Sequence, residues 1–175
     1  MNPQTWLPLA IVLSSLLPGL VIFALREEQQ RLRVTLNLLG VTVKLVLVGW
    51  LLYGVSQGLE FRFSVPLLPG APLVLQADAL SLLFVALSSL LWAATTLYAI
   101  GYLERSPLRS RFFGYFSLCV SATVGIALAG NLVSFLLFYE LLTLATFPLV
   151  VHRGTPDSLA AGRVYLAYTL GGGAL

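Results

Sequence analysis

The sequence predicts an all-α fold, a polytopic transmembrane helix bundle of about six spans, and three observations carry that prediction. First, the chain is 58% hydrophobic and only 10% charged, whereas a soluble domain carries about 25% charged residues. So few charges cannot clothe a water-facing surface, and the mean hydropathy of +0.93 says the same. Second, the apolar residues gather into runs near the roughly 20 residues that a bilayer core demands. Lipid offers the backbone no hydrogen-bond partner, so each run reads as a helix. Third, the loops between the runs alternate in positive charge. Arg26, Arg31, Arg33, Arg105, Arg109, Arg111, Arg153 and Arg163 fall in one set of loops, and Arg62 alone falls in the other. By the positive-inside rule the N-terminus is expected outside.

Span one is expected over residues 5–25. Residues 1–4 carry no basic side chain and the apolar run is long, so it reads as an uncleaved span and not as a signal peptide. Span two is expected over 34–56 and carries Lys44 midway, about 16 Å from Arg33 at roughly 1.5 Å per residue. Asn37 lies on the same helical face, giving this helix a polar stripe. Residues 57–77 form the sizeable external loop. Within it EFRFSV alternates with the strand period and Pro69-Gly70 signals a turn, so a short hairpin is expected, acting as a lid or a subunit contact.

Span three, 79–103, opens after Asp78, an expected N-cap. Span four, 112–129, repeats Ser117, Ser121, Gly125 and Ala129 on one face, the spacing that lets helices approach closely. Phe112, Phe113, Tyr115 and Phe116 at its entrance read as an interfacial aromatic belt. Span five, 132–151, follows the tight Ala129-Gly130-Asn131 turn. Span six opens near Leu159 and is still apolar at residue 175.

Composition also excludes functions. The net charge of +3 comes without a basic run interleaved with aromatics, so no nucleic-acid partner is expected. The single Cys119 allows no disulfide framework or thiolate metal site and reads as a small buried hydrophobe. No HExxH, GxSxG, P-loop or CxxC occurs, and no metal or other cofactor is expected. The other expected partner is the lipid bilayer.

Glu140 is the candidate site. It lies about nine residues from either end of span five, or about 14 Å of helix, too far for its side chain to reach the interface. An acid there costs on the order of 3 kcal/mol to insert and marks an ion or proton path by default. The bland alternative is a Glu that only packs helices, hydrogen-bonded to Thr143. Pro148, beyond it, frees the carbonyl of Leu144. Lys44 could pair with an acid on another helix, such as Glu140 or one in a partner subunit, or could simply reach an interfacial water or a backbone carbonyl. His152 is a candidate proton donor at the mouth of span five, or an ordinary interfacial residue beside Arg153. Glu140 and His152 are separated by about 18 Å of helical rise, which argues against an intramembrane enzyme built on the two.

Several short motifs in order carry a family resemblance. Asp78-Ala79-Leu80-Ser81-Leu82-Leu83-Phe84 resembles a D-x-LS-x-x-F opening, Tyr98 with Tyr102 a Y-x-x-x-Y pair, and Arg111-Phe112-Phe113 an R-F-F start. Asn131 followed by Phe138-Tyr139-Glu140-Leu141 is similar to an N…(F/W)-E signature. Together they resemble the N-terminal part of the antiporter-like membrane subunits of respiratory complex I, membrane-bound hydrogenases and Mrp-type sodium/proton antiporters. The resemblance implies a subunit of a multisubunit complex in the inner (plasma) membrane of a prokaryote, moving protons, or protons in exchange for sodium. It implies that Glu140 is the family's fifth-span glutamate, part of a proton path and paired with a lysine on a later, broken helix. Residues 1–175 contain no counterpart of that lysine, and Lys44 does not match its position; a truncated chain or a split subunit is expected. Any redox chemistry would reside in other subunits, and a purely structural or assembly subunit is the rival expectation.

Overall fold

The computed structural model describes residues 3–102, 108–152 and 154–174. The expectations for Arg105 and Arg153, and for the last residues of spans three and six, Leu103 and Leu175, lie outside the described residues. Six helices follow in order: α1 (Pro3–Phe23), α2 (Gln30–Ser56), α3 (Ala79–Tyr102), α4 (Arg109–Ala127), α5 (Leu132–Val150) and α6 (Pro156–Ala174). The architecture is a helical membrane bundle, as the composition predicts. Four of these helices, α1, α2, α3 and α5, are long and apolar enough to cross a membrane. The other two are less apolar because α4 carries Arg109, Arg111 and a small-polar stripe and α6 carries Asp157, Arg163 and a glycine run.

The ends of the helices follow from local chemistry. Beyond α2, Gly58 takes φ +77. Gly58 N–H then reaches Val55 O at 2.9 Å and Leu59 N–H reaches Gly54 O at 3.1 Å, the paired bonds of a Schellman stop. Before α3, Asp78 Oδ1 accepts the Ser81 N–H at 2.7 Å and Ser81 Oγ accepts the Asp78 N–H at 2.7 Å. This reciprocal cap satisfies donors that a helix start leaves free. Before α5, the Asn131 side chain accepts the Ser134 N–H at 2.8 Å.

Between α2 and α3 the expected hairpin is present. Strand β1 (Phe61–Leu68) pairs antiparallel with β2 (Ala71–Ala77) around Pro69-Gly70, with Gly70 at φ +80. The hairpin is docked onto the α4–α5 turn. Gln76 N–H donates to Leu128 O at 2.7 Å, Gly130 N–H to Val74 O at 2.9 Å, and Val74 N–H to Ser134 Oγ at 2.7 Å. Its inward residues Phe61 and Leu75 join Leu7, Ile11, Val48, Leu51, Val124, Leu128 and Phe138 in one apolar cluster. The hairpin therefore roofs one end of the bundle.

Helix α4 lies at the centre, packed against α1, α3 and α5, while α2 packs on α1 and α3 and α6 packs on α5. The small-residue stripe explains the close approach. A β-carbon on Gly19 of α1 would meet Ser117 Cβ at 2.9 Å, and one on Gly125 would enter the Phe138 ring of α5. Ser121 Oγ donates to Val12 O at 2.9 Å. Ala129 leaves the stripe, because the helix ends at Ala127 and Ala129 bridges to Leu75 of the hairpin.

Candidate functional site

Helix α5 sets Glu140 in the middle of an apolar stretch, and α6 closes over it. The Glu140 side chain is half-buried. A β-carbon on Gly173 would stand 2.6 Å from Glu140 Oε1 and 3.0 Å from the Tyr139 ring. The carboxyl thus occupies the space that the absent Gly173 side chain leaves at the α5–α6 contact. No hydrogen bond or ion pair links Glu140 to another described residue, Thr143 and Lys44 included; Thr143 is itself buried. A carboxyl in such a setting is chemically available, able to exchange a proton or to take a cationic partner from outside these helices.

Lys44 lies elsewhere. Helix α2 buries the face formed by Arg33, Asn37, Gly40, Val41, Lys44, Val48 and Leu51. Lys44 is fully buried, donates to Ser15 Oγ of α1 at 2.8 Å, and sits 5.3 Å from the centre of the Trp92 ring of α3. Its amine therefore meets a hydroxyl and an aromatic face, and no ion pair joins it to an acid among the described residues. His152 follows the end of α5, with its imidazole edge-on to Phe112 of α4 at 5.9 Å. Glu140, Lys44 and His152 are thus three separate positions, not one constellation.

A polar cluster at the α1–α2 turn was not anticipated. The Glu27 carboxylate accepts the backbone N–H of Arg109 at 3.1 Å and of Ser110 at 3.0 Å. It also pairs with Arg33 at 3.6 Å and with Arg109 Nε at 3.8 Å. Arg33 in turn donates to Ser110 Oγ at 2.6 Å and is 1% exposed. Counted as a loop arginine in the charge pattern, Arg33 belongs to the inward face of α2, which begins at Gln30. The α4 start needs this help because its N-cap position is Leu108, at φ 58 and with no side-chain acceptor; Glu27 satisfies the first-turn donors from another loop and complements the helix dipole. No group of three His, Cys, Asp or Glu comes together among the described residues.

No family model matches the chain. Over 100 residues, 57% of its length, it is 34% identical to a Na(+)/H(+) antiporter subunit A1 of Staphylococcus haemolyticus, and equally to the Staphylococcus aureus subunit of the same name. It covers 12% of the length of each of these relatives. Its fold is similar, at a TM-score of 0.69 and 21% identity, to a chain in the structure of the membrane-bound sulfane sulfur reductase, an archaeal respiratory membrane complex. That likeness covers 80% of this chain and 22% of the other. The similarity to antiporter subunits is thus found in sequence, and the similarity to a chain of a respiratory membrane complex is one of fold.

Proposed function

We propose that this chain forms part of an ion-translocating subunit of a multisubunit complex in the plasma membrane of a prokaryote, moving protons or exchanging them for sodium. In this reading the N-terminus and the hairpin face outside and the arginine-rich loops face the cytoplasm. Glu140 is the residue at which a proton pauses in mid-membrane. His152 exchanges protons with water at the cytoplasmic end of α5, and Lys44 is a second protonatable group inside the bundle. The observation that carries the reading is the half-buried carboxyl of Glu140 at the centre of an apolar helix, without a hydrogen bond or ion pair to another described residue. A cation to switch its proton affinity would come from outside the described helices, as from a neighbouring subunit. The names of the relatives, antiporter subunit and respiratory membrane complex, support the same direction.

A static role is favoured by one observation, the fit of the Glu140 carboxyl against Gly173. The test is proton flux in inverted vesicles carrying the complete complex, comparing wild type with Glu140→Gln at equal assembly. Gln keeps the size and the hydrogen bonding but cannot release a proton. Collapse of flux with intact assembly supports the proton site. Unchanged flux makes Glu140 a packing residue and the chain a scaffold.

A further inference from the structure

A groove of about 660 Å³ lies between α3 and α4, and none of Glu140, Lys44 and His152 lines it. Its volume is that of a small-molecule site. Leu80, Phe84, Leu87 and Leu91 of α3 form one wall and are 50–64% exposed. Val120 and Ile126 of α4 stand opposite. Helix α3 is long and apolar enough to cross a membrane, so a hollow along it opens on lipid. Exposed apolar residues are ordinary there. The polarity and the shape of the groove are not.

One end is charged. Asp78, at the start of α3 beside the hairpin, lines the groove, and no Lys, Arg or His does. Its side chain is exposed, and the Ser81 N–H holds its carboxyl below the ordinary carboxylate range. Further in, the polar side chains are hydroxyls and the Trp92 indole. The other end is blind. From Asp78 the groove follows α3 for about 25 Å, at roughly 1.5 Å per residue, and stops at Thr95 and Phe116. The end of α3 beyond Thr95 and the start of α4 before Phe116 do not line it. Phe116 is backed there by the stacked ring of Phe112, 5.9 Å away. A transmembrane helix of a partner needs a seat through the whole core of about 30 Å. A groove that is charged at its mouth, apolar along its length and closed inside has instead the polarity profile of a phospholipid. The charge selects the head group. Sites for anionic lipids are built from basic residues, whereas a carboxylate at the mouth attracts an ammonium and repels a head that carries phosphate alone.

We propose that the α3–α4 groove is a lipid-binding site that holds one acyl chain of an amine-bearing phospholipid, a phosphatidylethanolamine, with its ammonium beside Asp78. The chain covers the leucine wall of α3 and ends against Phe116. The site does not depend on the role of Glu140, and its test does not involve that residue.

The test is photolabelling of the intact complex in detergent. Phosphatidylethanolamine or phosphatidylglycerol carrying a diazirine on one acyl chain is added, the excess is washed away, and the adducts are mapped by mass spectrometry. The amine lipid is expected to label Phe84, Leu87 and Leu91 well above Val46 and Tyr53, which lie on the open face of α2 and are 65% and 66% exposed. It should label the groove roughly two- to fivefold more than the glycerol lipid, the preference that one exposed charge pair supplies. Asp78→Asn keeps the helix cap and is expected to abolish that preference. Ser88→Phe, which fills the groove, is expected to remove the labelling of its walls. Groove labelling no stronger than that of the α2 face overturns the proposal, because lipid then only bathes the surface or another protein segment fills the groove. Equal labelling by the two lipids, or a preference that survives Asp78→Asn, also overturns it. The wild-type comparisons decide the matter even where Ser88→Phe fails to assemble.

Discussion

Gly173 of α6 leaves the space that the Glu140 carboxyl of α5 occupies, since a β-carbon at position 173 would stand 2.6 Å from Glu140 Oε1. An alanine there must displace either the carboxyl or the helix. The carboxyl is the mobile end of a flexible side chain and gives way first. Gly173→Ala is therefore expected to leave assembly intact and to lower proton flux. In a Glu140→Gln background it should lower flux no further, because contacting residues acting on one step are not additive. Flux measured across the four-variant cycle checks this; independent, additive losses would separate Gly173 from the acid.

A second close contact tests the packing of α5. The Phe138 ring lies where a β-carbon on Gly125 would go, and Phe138 is 8% exposed. Gly125→Ala is expected to destabilise the protein by about 1–3 kcal/mol, the usual cost of overpacking. Phe138→Leu should recover part of that loss. The measurement is the thermal unfolding midpoint in detergent of the single and double variants. The same shift in both would mean that the ring is not the obstacle.

Much of this architecture was legible because it is local. The alternation in EFRFSV and the Pro69-Gly70 pair announced the hairpin, Asp78 announced the start of α3, and Ser117 and Gly125 announced close helix contacts, since each signal lies within a few residues. The partners of Lys44 were not legible. Ser15 is 29 residues away in the chain, and nothing in a single sequence says which hydroxyl will face a buried ammonium. Arg33 misled for a related reason. Loop charge predicts topology only if the helix boundary is right, and α2 starts one turn early, with Arg33 already turned inward. Glu27 reads as an ordinary loop acid, and its bond to Ser110 spans 83 residues.

That bond makes Glu27 a stabilising residue with a defined signature. Glu27→Ala leaves the Arg109 and Ser110 N–H groups uncapped and removes the carboxylate from a guanidinium that is 1% exposed. A loss of about 1–3 kcal/mol is expected, in the range for hydrogen bonds to charged groups, and kept below a fully buried pair because Glu27 is itself 39% exposed. Glu27→Gln retains an acceptor and should lose less. Thermal midpoints of the two variants check the order. Equal midpoints would mean that a neutral acceptor at position 27 restores none of the cap.

The last prediction concerns pH and the start of α3. Ser81 N–H, donating to Asp78 Oδ1 at 2.7 Å, is the main reason that the Asp78 carboxyl is held below its ordinary range. A folded-state value lower than the unfolded one means that the carboxylate adds stability above the unfolded value of about 3.9. That contribution fades as pH falls through the folded value, where proton uptake by the unfolded chain is matched by the native one. Asp78→Ala is expected to cost about 0.5–1 kcal/mol at neutral pH, the low end for a lost cap because the site is open to solvent. Asn also caps well, so Asp78→Asn should lose only the charge-dependent part. The gap between wild type and Asp78→Asn should stay level from neutral pH to about 4 and close below it. Stability of both proteins followed down this range is the measurement, and a gap that widens on acidification would show that the cap does not depend on the ionised carboxyl.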